Sequence, residues 1–518
     1  MRPAECRLDP PASDRPRDQA ALQTGRARNQ ELKGRPMSKG LLASVAIVLA
    51  GASAALAQGP VLGTAGPVPA TTTTAPVSLQ QPIATAPAAP MYGAPAAPMY
   101  GAPPGEGYSV EGSGGCFNNC NACDCDRVWA RAEYLLWWTK GSPTSTPLAT
   151  SVAPGTPGGG TPGPGAIGGA GTSVAIGGGD VDLGTRQGVK GTIGFWFDRE
   201  HTVGMEGTYF YLGTVSESET ASTLGGAAAP TLQTPFFDVT GASTGGTPGP
   251  SAMLPALATI FAVPGGLSNN LITHDSMSLV SRLQGADGYG LFNVNRCNGF
   301  RVDAMFGFRW LSLGEDLDYT SNNQTNNQAQ SHVIYNTTDT FSSSNNFYGA
   351  LLGIRFESSP DDGHCGWRGG FYYRGDFKVA LGDTVERTNI DGSTQTNLGN
   401  PLLGSPVTYA GGAFTQLSNL GGHDSDHFAV MPEVDLTLGY AFNTWGRVFV
   451  GYDFLYISDV ARPGNQIDGG ANLFRTALVQ QANPPIAAPA TDPSRPSFNA
   501  AQSAFWAQGL NLGMEVRF

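Results

Sequence analysis

The sequence predicts an all-β fold, an antiparallel up-and-down transmembrane β-barrel of about ten to twelve strands. Three observations point there. Segments of about nine to eleven residues or longer, enough to cross a bilayer when tilted, alternate between an apolar face and a face that holds nearly every charge. The connections between them alternate long and short. The chain ends on one of these segments, with Phe518 as its last residue.

The segments are, in order, 128–138, 189–197, 203–212, 278–294, 300–310, 348–357, 371–381, 430–440, 447–456 and 510–518. In 300–310, for instance, Phe300, Val302, Ala304, Phe306, Phe308 and Trp310 share one face, and Arg301, Asp303 and Arg309 the other. The same phase places Arg131, Glu133, Lys190, Glu206, Arg355, Glu357, Arg374, Asp376, Lys378, Glu433, Asp435, Arg447, Asp453, Glu515 and Arg517 opposite apolar rows. In the weaker segment 278–294, Leu279 and Leu283 are read as the apolar face and Arg282 as its opposite. A period of two identifies the faces without saying which one is inside, and a soluble sandwich would show the same rows. Segment length, aromatic clusters near segment ends (Trp137-Trp138, Phe195-Trp196-Phe197, Tyr209-Phe210-Tyr211, Tyr456) and alternating connections favour the membrane, with the charged rows lining the lumen. The connections 139–186, 213–275, 315–345, 382–427 and 457–506 are expected to be long outer loops. Those at 198–202, 295–299, 358–366 and 442–446 are expected to be short periplasmic turns.

Upstream of the barrel the composition changes. Met37-Ser38-Lys39, an apolar run over 41–56 and Ala55-Leu56-Ala57 read as a signal peptide over 37–57, with 1–36 as an extension ahead of the true start. Residues 58–115 are rich in Pro, Ala, Thr and Gly and are expected to be a periplasmic linker that builds no core. Within 116–127, Cys116, Cys120, Cys123 and Cys125 follow at short spacing, and Cys297 and Cys365 fall between strands. Thiolates at that spacing would suit zinc in a reducing compartment, but an exported chain favours disulfides, whose pairing the spacing leaves open.

Gly is 71 residues and charged residues are 14%, too Gly-rich and charge-poor for an ordinary soluble enzyme. Without residues 1–57 the chain carries 20 basic and 36 acidic side chains, a net of −16 that would repel nucleic acid. No Gly-x-Ser-x-Gly elbow or P-loop is present. His423-Asp424-Ser425-Asp426-His427 is the one cluster suited to metal binding or hydrolysis, and it reads more simply as a solvated rim. No cofactor and no enzymatic role are expected.

Ten basic and nine acidic side chains in so small a barrel predict a narrow, salt-bridged lumen. Two roles follow. The protein is porin-like, passing small solutes or ions through that lumen, or it is a structural or adhesive surface protein anchored by its barrel. Outer-membrane lipid and the barrel-assembly machinery are the expected partners, with a homo-oligomer possible.

Several stretches together resemble the putative beta-barrel porin-7 family of bacterial outer-membrane proteins. They are WARAEYLLWW at 129–138, GFWFD at 194–198, GMEGTYFYL at 204–212, LQGAD at 283–287, FRVDAMFGFRW at 300–310, EDL at 315–317, FKVALG at 377–382, FVGYDFLY at 449–456, RPGNQID at 462–468 and FWAQGL at 505–510. The resemblance implies an outer-membrane barrel over 128–518, with Phe518 as the insertion signal that assembly machinery reads. It implies little about a solute.

Overall fold

The computed structural model describes residues 127–157, 160–261, 271–297, 299–325, 333–358, 369–398, 404–443, 445–482, 486–487 and 492–518. The signal peptide, linker, Cys116, Cys120, Cys123, Cys125, Cys365 and the Cys297 side chain lie outside the described residues, and with them the disulfide expectation.

Ten strands form the ring: β1 Val128–Thr139, β2 Thr185–Trp196, β3 Val203–Thr223, β4 Leu271–Cys297, β5 Phe300–Thr325, β6 Ile334–Ser358, β7 Gly370–Thr396, β8 Gly421–Ala441, β9 Gly446–Ala461 and β10 Gln502–Arg517. Each pairs antiparallel with the next, and β10 pairs with β1 from Trp129↔Arg517 to Thr139↔Ala507, which closes the barrel and leaves no edge.

Closure decides which face is inside. The apolar rows point outward: Ile193 is 63% and Phe306 61% exposed, while Glu206 and Arg355 on the opposite face are 2% and 1% exposed. A soluble protein would bury the first pair and expose the second, so the arrangement suits a lipid exterior. The aromatic clusters obey the same alternation. Trp138, Tyr209, Tyr211, Phe195 and Phe197 face out, whereas Trp137 and Trp196 are buried inside, so only alternate members can serve an interfacial girdle.

Strand glycines are explained by packing. Trp129 pairs with Gly194, Tyr372 with Gly439 and Phe449 with Gly513. A Cβ on Gly194 would lie 2.2 Å from the Trp129 ring, and one on Gly513 2.3 Å from the Phe449 ring. The missing side chain lets each large ring lie across the neighbouring strand.

Strand lengths correct the expected loops. β4 and β7 are 27 residues each, β5 is 26 and β6 is 25. About ten residues suffice to cross a bilayer, so these strands run on well beyond it. Much of the stretches read as loops 213–275, 315–345 and 382–427 is therefore strand, and the chain between β5 and β6 spans only 326–333. The extensions escaped periodicity because water lies outside them, so both faces hold Ser, Thr, Asn and Asp.

The true loops fold into a cap. Ser142–Val152 and Thr172–Val181 form a hairpin inside the first connection, joined by Thr231–Gln233 from the second. Pro235–Asp238 pairs with Gly249–Ala252 and with Gly470–Ala471. Helix α1, Met253–Ile260, supplies Leu254 and Leu257 to a core shared with Leu148, Phe414, Leu473 and the inward Leu279, Leu317 and Phe341 of the strand extensions.

Candidate functional site

The barrel interior is the site with the densest chemistry. Register places opposite charges side by side on its inner wall. Glu357 on β6 pairs with Arg301 on β5 and Arg374 on β7, Glu515 on β10 pairs with Arg131 and Arg447, Lys190 pairs with Glu133, and Lys378 pairs with Glu433. One row breaks the pattern, since Asp376, Asp435 and Asp453 are neighbours on β7, β8 and β9. Their repulsion is relieved by cations from elsewhere. Arg355 Nε binds Asp376 at 2.9 Å, and Lys190 Nζ reaches from β2 to Asp435 at 2.8 Å and Asp453 at 2.9 Å.

Several contacts span the lumen. Arg355 on β6 meets Glu206 on β3 at 2.8 Å, Arg309 on β5 meets Glu433 on β8 at 2.5 Å, and Arg374 on β7 meets Glu515 on β10 at 3.4 Å. Glu206 also accepts from Trp129 Nε1 at 2.8 Å and from the Tyr289 hydroxyl. Apolar side chains border these charges. Trp129, Trp196, Tyr289, Leu291, Met305 and Leu351 pack at the short-turn end, while Leu135, Trp137, Leu283, Phe347, Leu455 and Phe505 pack toward the cap.

Of the predicted lumen residues all but Arg282 face this interior. Arg282 is 56% exposed in its side chain and pairs with Asp316 on the outer surface at 3.0 Å. Leu279 and Leu283 are fully buried inside, so the apolar row of that segment is the inner one. The inversion is physical: these residues lie past the lipid, where the wall has water outside and an ordinary apolar core within.

Sequence reasoning missed other inward charges. Asp287 accepts from Arg309 Nε at 2.7 Å. Glu315 and Arg462, both without exposure, pair with each other, Arg462 Nη2 lying 2.9 Å from the carboxylate. Arg186 is 2% exposed and donates to the Ser281 carbonyl at 3.0 Å. The available signal was the motifs EDL and RPGNQID, which supply Glu315 and Arg462. Neither sits in an apolar-alternating segment, so periodicity passed over both.

His423 stacks on Phe498 with ring centroids 4.0 Å apart, and its Nε2 lies 3.2 Å from the Asn419 carbonyl. His427 lies 3.9 Å from Glu386, which accepts from Ser425 at 3.0 Å. Among the described residues no three His, Cys, Asp or Glu side chains converge as a metal site.

One carboxyl of the extension carries a pH prediction. Asp275 is buried on the inner wall of β4, and among the described residues neither of its oxygens has a hydrogen-bond partner of adequate geometry. Burial pushes it up from 3.8 to about 6, against a weaker opposing effect of Ser321. A raised folded-state value favours the protonated form, so the penalty is absent below pH 4 and full above pH 6. It amounts to at most about 3 kcal/mol. Asp275→Asn is expected to raise the thermal midpoint at pH 8 and leave it nearly unchanged at pH 4. An increment equal at both pH values would show that burial of the charge is not the cause.

Residues 129–518 match the family model described as Putative beta barrel porin-7 (BBP7). The chain belongs to that family. This porin-7 chain is a bacterial outer-membrane β-barrel protein. Among solved structures it is similar to the outer membrane protease OmpT from Escherichia coli, at 8% identity and a TM-score of 0.30, with 76% of this chain and 97% of that one covered. It is also similar to the Ralstonia pickettii toluene transporter TbuX, at 6% identity and a TM-score of 0.17, covering 76% and 90%. A Pseudomonas aeruginosa FadL homologue has 6% identity and a TM-score of 0.18 over the same shares, 76% and 90%. No curated protein matches the chain. The expectation of a non-enzymatic role is corrected by the first of these: an outer-membrane barrel can be a protease, so the barrel gives no ground for excluding catalysis. At such identities and TM-scores these likenesses assign this porin-7 protein no activity.

Proposed function

We propose that this protein is a display barrel, anchored in the outer membrane to hold its folded cap at the cell surface, rather than an open pore. The observation that carries this reading is the set of ion pairs crossing the lumen between β3 and β6, β5 and β8, and β7 and β10, covered on the cap side by an apolar layer. An ion would have to part several buried charge pairs to pass, each costly to break. The extended strands support it too, because they lift the loops clear of the lipid and share a core with them.

The outward apolar rows meet membrane lipid in this reading, Phe518 engages the barrel-assembly machinery, and 58–115 spans the periplasm behind a cleaved 37–57. The cap surface is where a second copy or another partner would bind. Passage of small solutes or ions is the competing reading. Planar-bilayer recording on the refolded full chain separates them: no conductance steps are expected at any voltage up to membrane breakdown. Reproducible unit steps would establish a pore and overturn the display reading.

A further inference from the structure

We propose that the short-turn mouth of the barrel is a binding site for one small inorganic anion of halide size. A cavity opens there between the ends of β1, β2, β5, β6, β7 and β10. Four guanidiniums line it, Arg301, Arg355, Arg374 and Arg517, together with the indoles of Trp129 and Trp196. Among the described residues no carboxylate lines it. The acids that neutralise these arginines stand behind them. Arg301 and Arg517 reach Glu357 at 3.3 and 3.1 Å, and Arg355 is held by Glu206 and Asp376.

The decisive residue is Arg374. It is 4% exposed. Its Nη2 is used by Glu357 at 3.1 Å and Glu515 at 3.4 Å. Its Nε and Nη1 are buried and have no hydrogen-bond partner among the described residues. Buried charged donors are normally satisfied, and an orphaned pair beside a cavity points to an absent acceptor. A water could accept one such bond, but four cations around one void in a low-dielectric wall favour a negative occupant over a neutral one. The void is about 10 Å³, which admits a single water-sized sphere. A monatomic anion such as chloride or bromide has one atom to seat there, where a carboxylate or phosphate has several. The indole rings would flank the ion with their electropositive edges or exclude bulk water from it.

The test uses the full chain refolded in detergent micelles. Unfolding midpoints are measured against chloride at constant ionic strength, with gluconate as the balancing anion because it is too large for the void. A saturable rise with chloride is expected, reproduced by bromide. In Arg374→Gln the chloride dependence should vanish, whatever the variant's baseline stability. If that variant fails to fold, anomalous scattering from wild-type crystals grown in bromide serves instead, and a peak within hydrogen-bond distance of Arg374 is expected. Identical midpoints in chloride and gluconate, a chloride dependence retained in Arg374→Gln, or no bromide peak at the mouth would each overturn the proposal. So would a peak without any effect in solution, which would mark an adventitious ion only.

Discussion

Arg355→Met is expected to lower the unfolding free energy of the barrel by about 3–5 kcal/mol, the usual cost of removing one partner from a buried ion pair. Arg355 is 1% exposed and serves two carboxylates at once. Its Nε and Nη2 bind Asp376 on the adjacent strand at 2.9 and 2.7 Å, and its Nη1 and Nη2 reach Glu206 across the lumen at 3.1 and 2.8 Å. Methionine fills similar space but leaves both carboxylates facing a low-dielectric interior. The loss comes from uncompensated charge, so Arg355→Met combined with Glu206→Gln and Asp376→Asn should recover most of it. Urea unfolding followed by tryptophan fluorescence measures both. A loss below about 1 kcal/mol in the single variant would mean that the interior is solvated and its pairs screened, which would also reopen the lumen to ions.

Arg462→Met is expected to cost a similar amount, about 3–5 kcal/mol, but in a different part of the molecule. Arg462 and Glu315 are both fully buried and join the connection after β9 to the extension of β5. Asn345 on β6 braces the same junction, donating to the Ala461 carbonyl at 2.9 Å and accepting from its amide at 2.7 Å. Beyond this point the chain enters the cap, where Gln466 donates to the Ala501 carbonyl at 3.1 Å. Loss of Arg462 should therefore free the connection 462–501 before the membrane strands respond. Hydrogen exchange should speed up in that connection and hardly change in 128–139, and intact cells should become sensitive to added protease. Unchanged protection of 462–501 would assign the cap's stability to its apolar core alone.

The ten strands, their lipid-spanning portions and most inward charges of those portions, Asp287 excepted, were legible because one physical rule governs them. Within the bilayer a closed strand must present an apolar row to lipid, so every charge falls on the other row, as at Arg301, Asp303 and Arg309. The weak segment failed for the same reason. At Arg282 the strand has left the lipid, the rule reverses, and a leucine row that looks membrane-facing is the inner core. The extensions of β5 to β7 were read as loops because stretches such as Ser342, Ser343, Ser344, Asn345 and Asn346 carry no alternation at all, although the backbone ladder of this stretch to β5 continues unbroken.

The amino-acid pattern by itself predicted a barrel of about ten to twelve strands and, in every segment but 278–294, which charged residues share a face, since these depend on period-two order along single strands. Only the tertiary structure decided how that charged face is paired. The pairing depends on side chains meeting across the ring, Lys190 with Asp435 and Asp453, Arg355 with Glu206, Arg462 with Glu315. Each of these pairs is far apart in sequence and on chain segments that do not adjoin. Their contact is set by strand number and register together, which no single strand records.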